Sequence, residues 1–81
     1  MKTHIKSITR KDIAKAIRRY RLQAGFTPEA LSRGMKREFN IHLSEGQIAD
    51  AESGNYSISA TVLYRIAGTL GVPVEKFFGC E

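Results

Sequence analysis

The chain has 81 residues, with 13 Lys and Arg, eight Asp and Glu, and a net charge of +5 at pH 7. This length fits one small domain, whose modest core often needs added stability from a metal, disulfides or a partner chain. The single cysteine, Cys80, cannot form an internal disulfide, and only His4 and His42 could join it around a metal. We therefore expect no metal and no cofactor, and dimerisation is the remaining common source of stability.

The sequence contains no segment that predicts export or membrane insertion. The start, MKTHIKSITRK, carries charges but no apolar stretch behind them, as a secretory signal would require. No apolar run approaches the roughly 20 residues that span a bilayer. One free thiol without a disulfide framework is typical of a reducing compartment. These observations predict a soluble cytoplasmic protein that has no membrane partner.

Charge is unevenly distributed along the chain. Residues 1–37 contain eleven Lys and Arg but two Asp and Glu, whereas residues 38–81 contain two and six. A basic half favours binding to a polyanion, with nucleic acid as the first candidate. The alternative is a solvated basic helix that has no partner, because charged blocks often serve only solubility.

In chain order, capping residues and apolar spacings of three and four predict five short helices and an all-α fold. Residues 1–8 are expected to form a flexible N-terminal arm, and residues 9–81 one folded domain. The first helix follows a cap at Thr9 and stops at Gly25. The others are predicted at residues 28–39, 45–52, 60–70 and 74–78, after caps at Thr27, Ser44 and Ser59 and after Pro73. Sustained period-two alternation, which would indicate strands, does not occur.

Three blocks of the sequence, RLQAGFTPEALS, LSEGQIADAESG and ATVLYRIAGTLGVPVEKFF, resemble those of the Cro/repressor-type (XRE-like) helix-turn-helix family. The resemblance covers about residues 13–78 and implies a compact five-helix, lambda-repressor-like domain that binds double-stranded DNA. In that family, the third helix enters the major groove while the preceding helix crosses the backbone. Two departures stand out. Pro28 replaces the usual Gln, and the connection between the second and third helices is longer than the family's tight turn.

The resemblance also implies roles for individual residues. Arg21 and Glu52 occupy the positions of a structural ion pair that joins the first helix to the end of the third. Glu45, Gly46 and Asp50 occupy positions that commonly face the bases, with Gln47 and Asn55 as neutral hydrogen-bonding candidates beside them. The basic residues Arg33, Lys36 and Arg37 could compensate the two acids at the phosphates.

Several of these assignments leave alternatives open. Helix N-termini suit phosphate oxygens, so Thr27 and Ser44 are candidates for DNA contacts, but both could simply cap their helices. Glu45 and Asp50 could likewise serve only the helix dipole and solubility. The extra segment 36–41 could add phosphate contacts or bind a partner.

Three apolar residues, Val74, Phe77 and Phe78, follow the fourth helix in a chain too small to bury many more side chains. We predict a homodimer interface there, although Phe77 could instead close the core. The sequence then predicts a transcriptional regulator of the repressor type that binds a near-palindromic operator as a dimer, without a small-molecule ligand. The main alternative is a helix-turn-helix module, such as an antitoxin or adaptor, whose acidic third helix binds a protein.

Enzymatic activity has little support in the sequence, because it contains no nucleophile or metal pattern, no phosphate-binding glycine loop and no convergent carboxylates. Binding of the basic first helix to a membrane surface is also disfavoured, because the core needs the apolar face of that helix. Charge placement separates the two remaining functions. DNA binding requires the basic residues and the third helix on one face, whereas protein binding predicts an acidic patch turned away from them.

Overall fold

A computed structural model describes residues 10–78, which form four α-helices and one 3-10 helix. The helices are α1 (Arg10–Gln23), α2 (Pro28–Phe39), α3 (Glu45–Glu52), α4 (Ala60–Leu70) and the 3-10 helix η1 (Val74–Phe78). The predicted all-α class is confirmed, whereas the fifth helix is a 3-10 helix and not an α-helix. The arm at residues 1–8, the cap at Thr9 and the thiol of Cys80 lie outside the described residues. Within residues 10–78, no helix is long and apolar enough to cross a bilayer.

The helix limits follow from local capping. The hydroxyl of Thr27 accepts a hydrogen bond from the Ala30 N–H at 3.0 Å, and that of Ser59 accepts from the Val62 N–H at 3.2 Å. Asn40 ends α2 in the left-handed conformation, with φ of 56°. Each cap satisfies backbone groups that the helix itself leaves unpaired. The residue types that predicted these ends are therefore the ones that form them.

One core lies between the helices. α1 packs against α3 and η1, whereas α2 packs against α3 and α4. The ring of Phe77 in η1 is 1% exposed and lies 5.3 Å from the ring of Tyr20, measured between centroids. η1 therefore closes the core from below α1 and α4. The other large, fully buried side chains are Ile17, Leu31, Met35, Ile48, Leu63 and Ile66.

Glycines bring α2 and α4 close together. A Cβ atom built on Gly34 would lie 2.9 Å from Cγ2 of Thr69, and one on Gly68 would lie 3.2 Å from Cζ of Phe39. Real carbon atoms do not approach as closely as the first distance, so α2 and α4 could not keep this separation with a larger residue at position 34. Phe39, in the last turn of α2, thereby packs on α4.

The lengthened connection after α2 is ordered in the structure. The Asn40 N–H donates to the Lys36 carbonyl at 2.9 Å, and the Ile41 N–H donates to the Met35 carbonyl at 3.3 Å. Leu43 is 5% exposed and belongs to the core. The connection therefore holds the start of α3 in a fixed position relative to the end of α2.

We predict that Gly34→Ala lowers the free energy of unfolding by about 1 kcal/mol or more, because overpacking outweighs the better helix propensity of Ala. Gly46→Ala is the matched control, since a Cβ there would meet only Ser44 Oγ, at 3.9 Å. That variant should gain up to about 1 kcal/mol. Urea denaturation measures both, and equal stabilisation by the two substitutions would contradict the close contact between α2 and α4.

Candidate nucleic-acid interface

A bidentate ion pair joins α1 to the end of α3. Arg21 Nε donates to Glu52 Oε2 at 2.6 Å and Nη2 donates to Oε1 at 2.9 Å, and both side chains are 6% exposed. The third nitrogen of Arg21, Nη1, donates to the Phe26 carbonyl at 2.8 Å. The hydrogen bonds from Arg21 to Glu52 raise the pKa of Arg21 against the opposing effect of burial. This pair therefore fixes α1, the loop before α2 and the C-terminal turn of α3 together.

The exposed face of α3 follows from which of its residues are buried. Ile48 and Ala51 face the core, and Gln47 and Glu52 lie half-buried on the two flanks. The remaining positions, Glu45, Gly46, Ala49 and Asp50, are exposed and share one side of the helix. Three of these four were predicted to face the bases. Ala49 was missed, although its spacing from Glu45 and Gly46 places it on the same face.

Gln47 has a structural role in addition to any contact with a partner. Its Oε1 accepts from the Ser44 N–H at 3.0 Å, while Ser44 Oγ accepts from the Gln47 N–H at 3.1 Å. These two bonds form a capping box at the start of α3. The side-chain oxygen of Gln47 is therefore already used, and its amide N–H groups are what it can offer to a partner.

The basic residues of α2 and the first turn of α3 lie on one surface. A depression of about 270 Å³, here called the basic groove, separates the two helices. Beside it, a second depression of about 490 Å³ is lined by Arg33, Lys36, Arg37 and Asn40. The residues that line the basic groove are Ser32, Arg33, Lys36, His42, Leu43, Ser44 and Gln47. Sequence reasoning missed Ser32 and His42, because the path of the long connection could not be read from residue types.

The charges at this surface are unequally engaged. Arg33 Nη1 donates to Glu29 Oε2 at 2.8 Å, and both side chains are well exposed. Lys36 and Arg37 have no ion-pair partner among residues 10–78. An exposed pair such as Glu29 and Arg33 exchanges readily with other partners, because its net stabilisation is small. All three cations are therefore available to an incoming anion.

Two predicted contacts lie away from the basic groove. Thr27 caps the opposite end of α2 from Lys36 and Arg37. Asn55 follows α3, and its backbone N–H donates to the Asp50 carbonyl at 2.9 Å. Both side chains are exposed. Neither of them lines the two depressions beside α3.

The three residues predicted at a dimer interface have different surroundings. Phe77 is 1% exposed and stacks on Tyr20, so it is a core residue of the single chain and offers no surface to a partner. Val74 is half-buried, and Phe78 is 39% exposed. The prediction for Phe77 is corrected for this reason: the core needed one more large side chain, and η1 supplies it.

Within the part of the chain that the structure describes, no three His, Cys, Asp or Glu residues are grouped to hold a metal ion. The surface around α2 and α3 instead combines cations, helix-capping hydroxyls and the exposed side of one helix. Two consecutive helices arranged in this way, packed between α1 and α4, define a helix-turn-helix domain.

Comparison with known families agrees with this geometry. A family model described as helix-turn-helix matches residues 17–77, from the middle of α1 to η1. The chain therefore belongs to the Cro/C1-type (XRE-like) helix-turn-helix family, whose domains are DNA-binding regulators and not enzymes. No curated protein and no solved structure significantly matches the chain.

We predict that Glu52→Gln lowers the free energy of unfolding by about 3 kcal/mol, because it leaves the buried guanidinium of Arg21 without a charge partner. The matched control is Glu29→Gln, which breaks the exposed pair with Arg33 and should cost less than about 1 kcal/mol. Urea denaturation followed by circular dichroism compares them. Similar small losses in the two variants would show that the Arg21–Glu52 pair does not hold α3 in place.

Proposed function

We propose that the protein is a sequence-specific transcriptional regulator, of the repressor type, that binds a near-palindromic operator in double-stranded DNA as a homodimer. The main support is that Arg33 and Lys36 of α2 line the same depression as Ser44 and Gln47 of α3. One partner can therefore meet the cations and the start of α3 together. A helix of this size fits the major groove, while residues of the preceding helix reach the phosphates.

Sequence readout is assigned to the exposed face of α3. Glu52 carries one of its three carboxylates, but that charge is neutralised by Arg21 inside the domain. Glu45 and Asp50 remain exposed, and a carboxylate can accept from the N4 amine of cytosine. Between them lie Gly46 and Ala49, whose small side chains let the helix axis come close to the base edges. The proposed readers are therefore acceptors placed around a smooth, uncharged strip.

Affinity is assigned to the cations of α2. Lys36 and Arg37 lack ion-pair partners among residues 10–78, and Arg33 can exchange Glu29 for a phosphate at little cost. These charges also offset the repulsion between phosphates and the acids of α3. Because each phosphate contact releases counterions, the affinity should fall steeply with salt. The extra segment 36–41 would thus serve the DNA backbone, and Thr27 and Asn55 would contribute from its margins.

The proposed assembly is a dimer of one folded domain, residues 9–81, with residues 1–8 as an arm. Its interface would use the end of the chain around Val74 and Phe78, and place two α3 helices one DNA turn, about 34 Å, apart. We place the protein in the cytoplasm, with the DNA it regulates. Regulation would depend on its own concentration or on a protein partner, without a small-molecule ligand.

One observation favours a second function. Two carboxylates, Glu45 and Asp50, are exposed on α3 and have no ion-pair partner among the described residues. A basic protein surface would suit them better than DNA phosphates, as in an antitoxin or adaptor. In the structure, however, the start of α3 shares the basic groove with Arg33 and Lys36. A partner at that position would have to avoid these two cations, so DNA is the preferred candidate.

We predict that selection from random duplexes enriches a two-fold symmetric site, at both low and moderate salt. The variant with Glu45→Ala and Asp50→Ala should prefer different bases at the positions that these carboxylates contact, because the acceptors for base amines are lost. Sequencing of the selected pools measures both preferences. An unenriched pool, or tighter binding by the variant without a change in preference, would contradict readout by α3 and support the protein-binding alternative.

We predict that Lys36→Gln weakens binding to all duplexes to a similar extent and reduces the slope of log K against log salt by about 0.9. The reason is that one phosphate contact disappears while base readout is untouched. Lys15→Gln is the control, since Lys15 is an exposed lysine of α1 outside the basic groove. Fluorescence anisotropy over a salt series gives both slopes. Equal slopes for the two variants would place the backbone contact elsewhere.

A further inference from the structure

A second recognition surface lies at the ends of α2 and α4, away from the basic groove. A cleft of about 490 Å³ opens there between the two helices and η1. Arg65 lies at its centre, with Cζ 4.7 Å from the ring centroid of Phe39 and 5.4 Å from that of Tyr64. Stacking against two rings holds the guanidinium in one orientation and leaves its N–H groups for another partner.

This cleft contains one cation and one anion that do not pair with each other. Arg65 and Glu75 both line it, and neither has an ion-pair partner within 4 Å among residues 10–78. Arg65 is half-buried, so it has already lost part of its hydration and gains more from a carboxylate than a fully solvated arginine does. The remaining donors and acceptors of this surface are therefore directed outward.

Apolar side chains surround the two charges. Tyr64 is 57% exposed, Val72 and Val74 line the cleft half-buried, and Phe78 of the same 3-10 helix is 39% exposed. A patch of exposed aromatic and aliphatic groups with charges at its edge has the composition of a protein–protein contact. It also includes two of the residues, Val74 and Phe78, at which the proposed dimer forms.

We propose that the occupant of this cleft is a second copy of the chain, related by two-fold symmetry, with Arg65 of each protomer paired to the partner's Glu75. A two-fold contact uses the same patch twice, so a patch that carries one free cation and one free anion is complementary to itself. A purely acidic partner would meet Glu75 as a like charge, and a purely basic partner would meet Arg65. The inference rests on the dimer of the proposed function and deepens it by naming the interface.

The test is a charge exchange measured without DNA. Arg65→Glu and Glu75→Arg, each alone, should weaken the dimer at least about tenfold in sedimentation equilibrium, because both symmetric pairs become repulsive. Mixing the two single variants should restore the association, since the heterodimer again has two oppositely charged pairs. Lys76→Glu is the control, because it changes the net charge as Arg65→Glu does and lies outside the cleft; its dimer should remain.

Arg65→Glu also removes a stacking contact with Phe39, so its melting curve is recorded first. Should it fail to fold, Glu75→Arg alone decides the outcome, because Glu75 is exposed and has no partner in the single chain to lose. A monomeric wild-type protein, a dimer unaffected by Glu75→Arg, or two folded variants that do not associate when mixed would overturn the inference. Unchanged binding of Glu75→Arg to a single half-site would separate this failure from a failure of DNA binding.

Discussion

The position of α3 depends on the ion pair between Arg21 and Glu52. This helix has eight residues, of which only Ile48 and Ala51 are buried, and an isolated helix of that length is unstable in water. Its first turn is held by the capping box of Ser44 and Gln47, and its last turn by two hydrogen bonds from Arg21. Because Arg21 also binds the loop before α2, the same guanidinium sets the relative position of the two helices that the proposed function requires.

The lengthened end of α2 connects the two proposed surfaces. One side of its last turn presents Lys36 and Arg37 to the depressions beside α3, and the other side packs Phe39 against Gly68 and Arg65. The close approach at Gly34 holds this helix against α4. A shift at the cleft would therefore move the cations that are proposed to hold DNA. Dimer formation and phosphate binding would act on one rigid element, without a separate signalling device.

Local features of the sequence predicted the helices well, because caps and apolar spacings act within a few residues. Asn40 and Gly71 ended their helices as expected, and the capping box at Ser44 formed. Contacts between distant residues were harder to predict. The burial of Phe77 depends on Tyr20, and the position of Arg65 depends on Phe39, which no periodicity reveals. Likewise, His42 reached the basic groove through a connection whose path only the folded chain defines.

Gly46 indicates how α3 could use its exposed face. Glycine within a helix costs about 0.5–1 kcal/mol relative to Ala, so a helix of eight residues has reason to avoid it. The fold does not require it, because an added Cβ would meet only Ser44 Oγ, at 3.9 Å. Its neighbour on the same face is Ala49, the next smallest residue. Two such positions, flanked by acceptors and opposite a basic helix, are what close contact with an external surface requires, and they support the assignment of this face to the base edges of DNA.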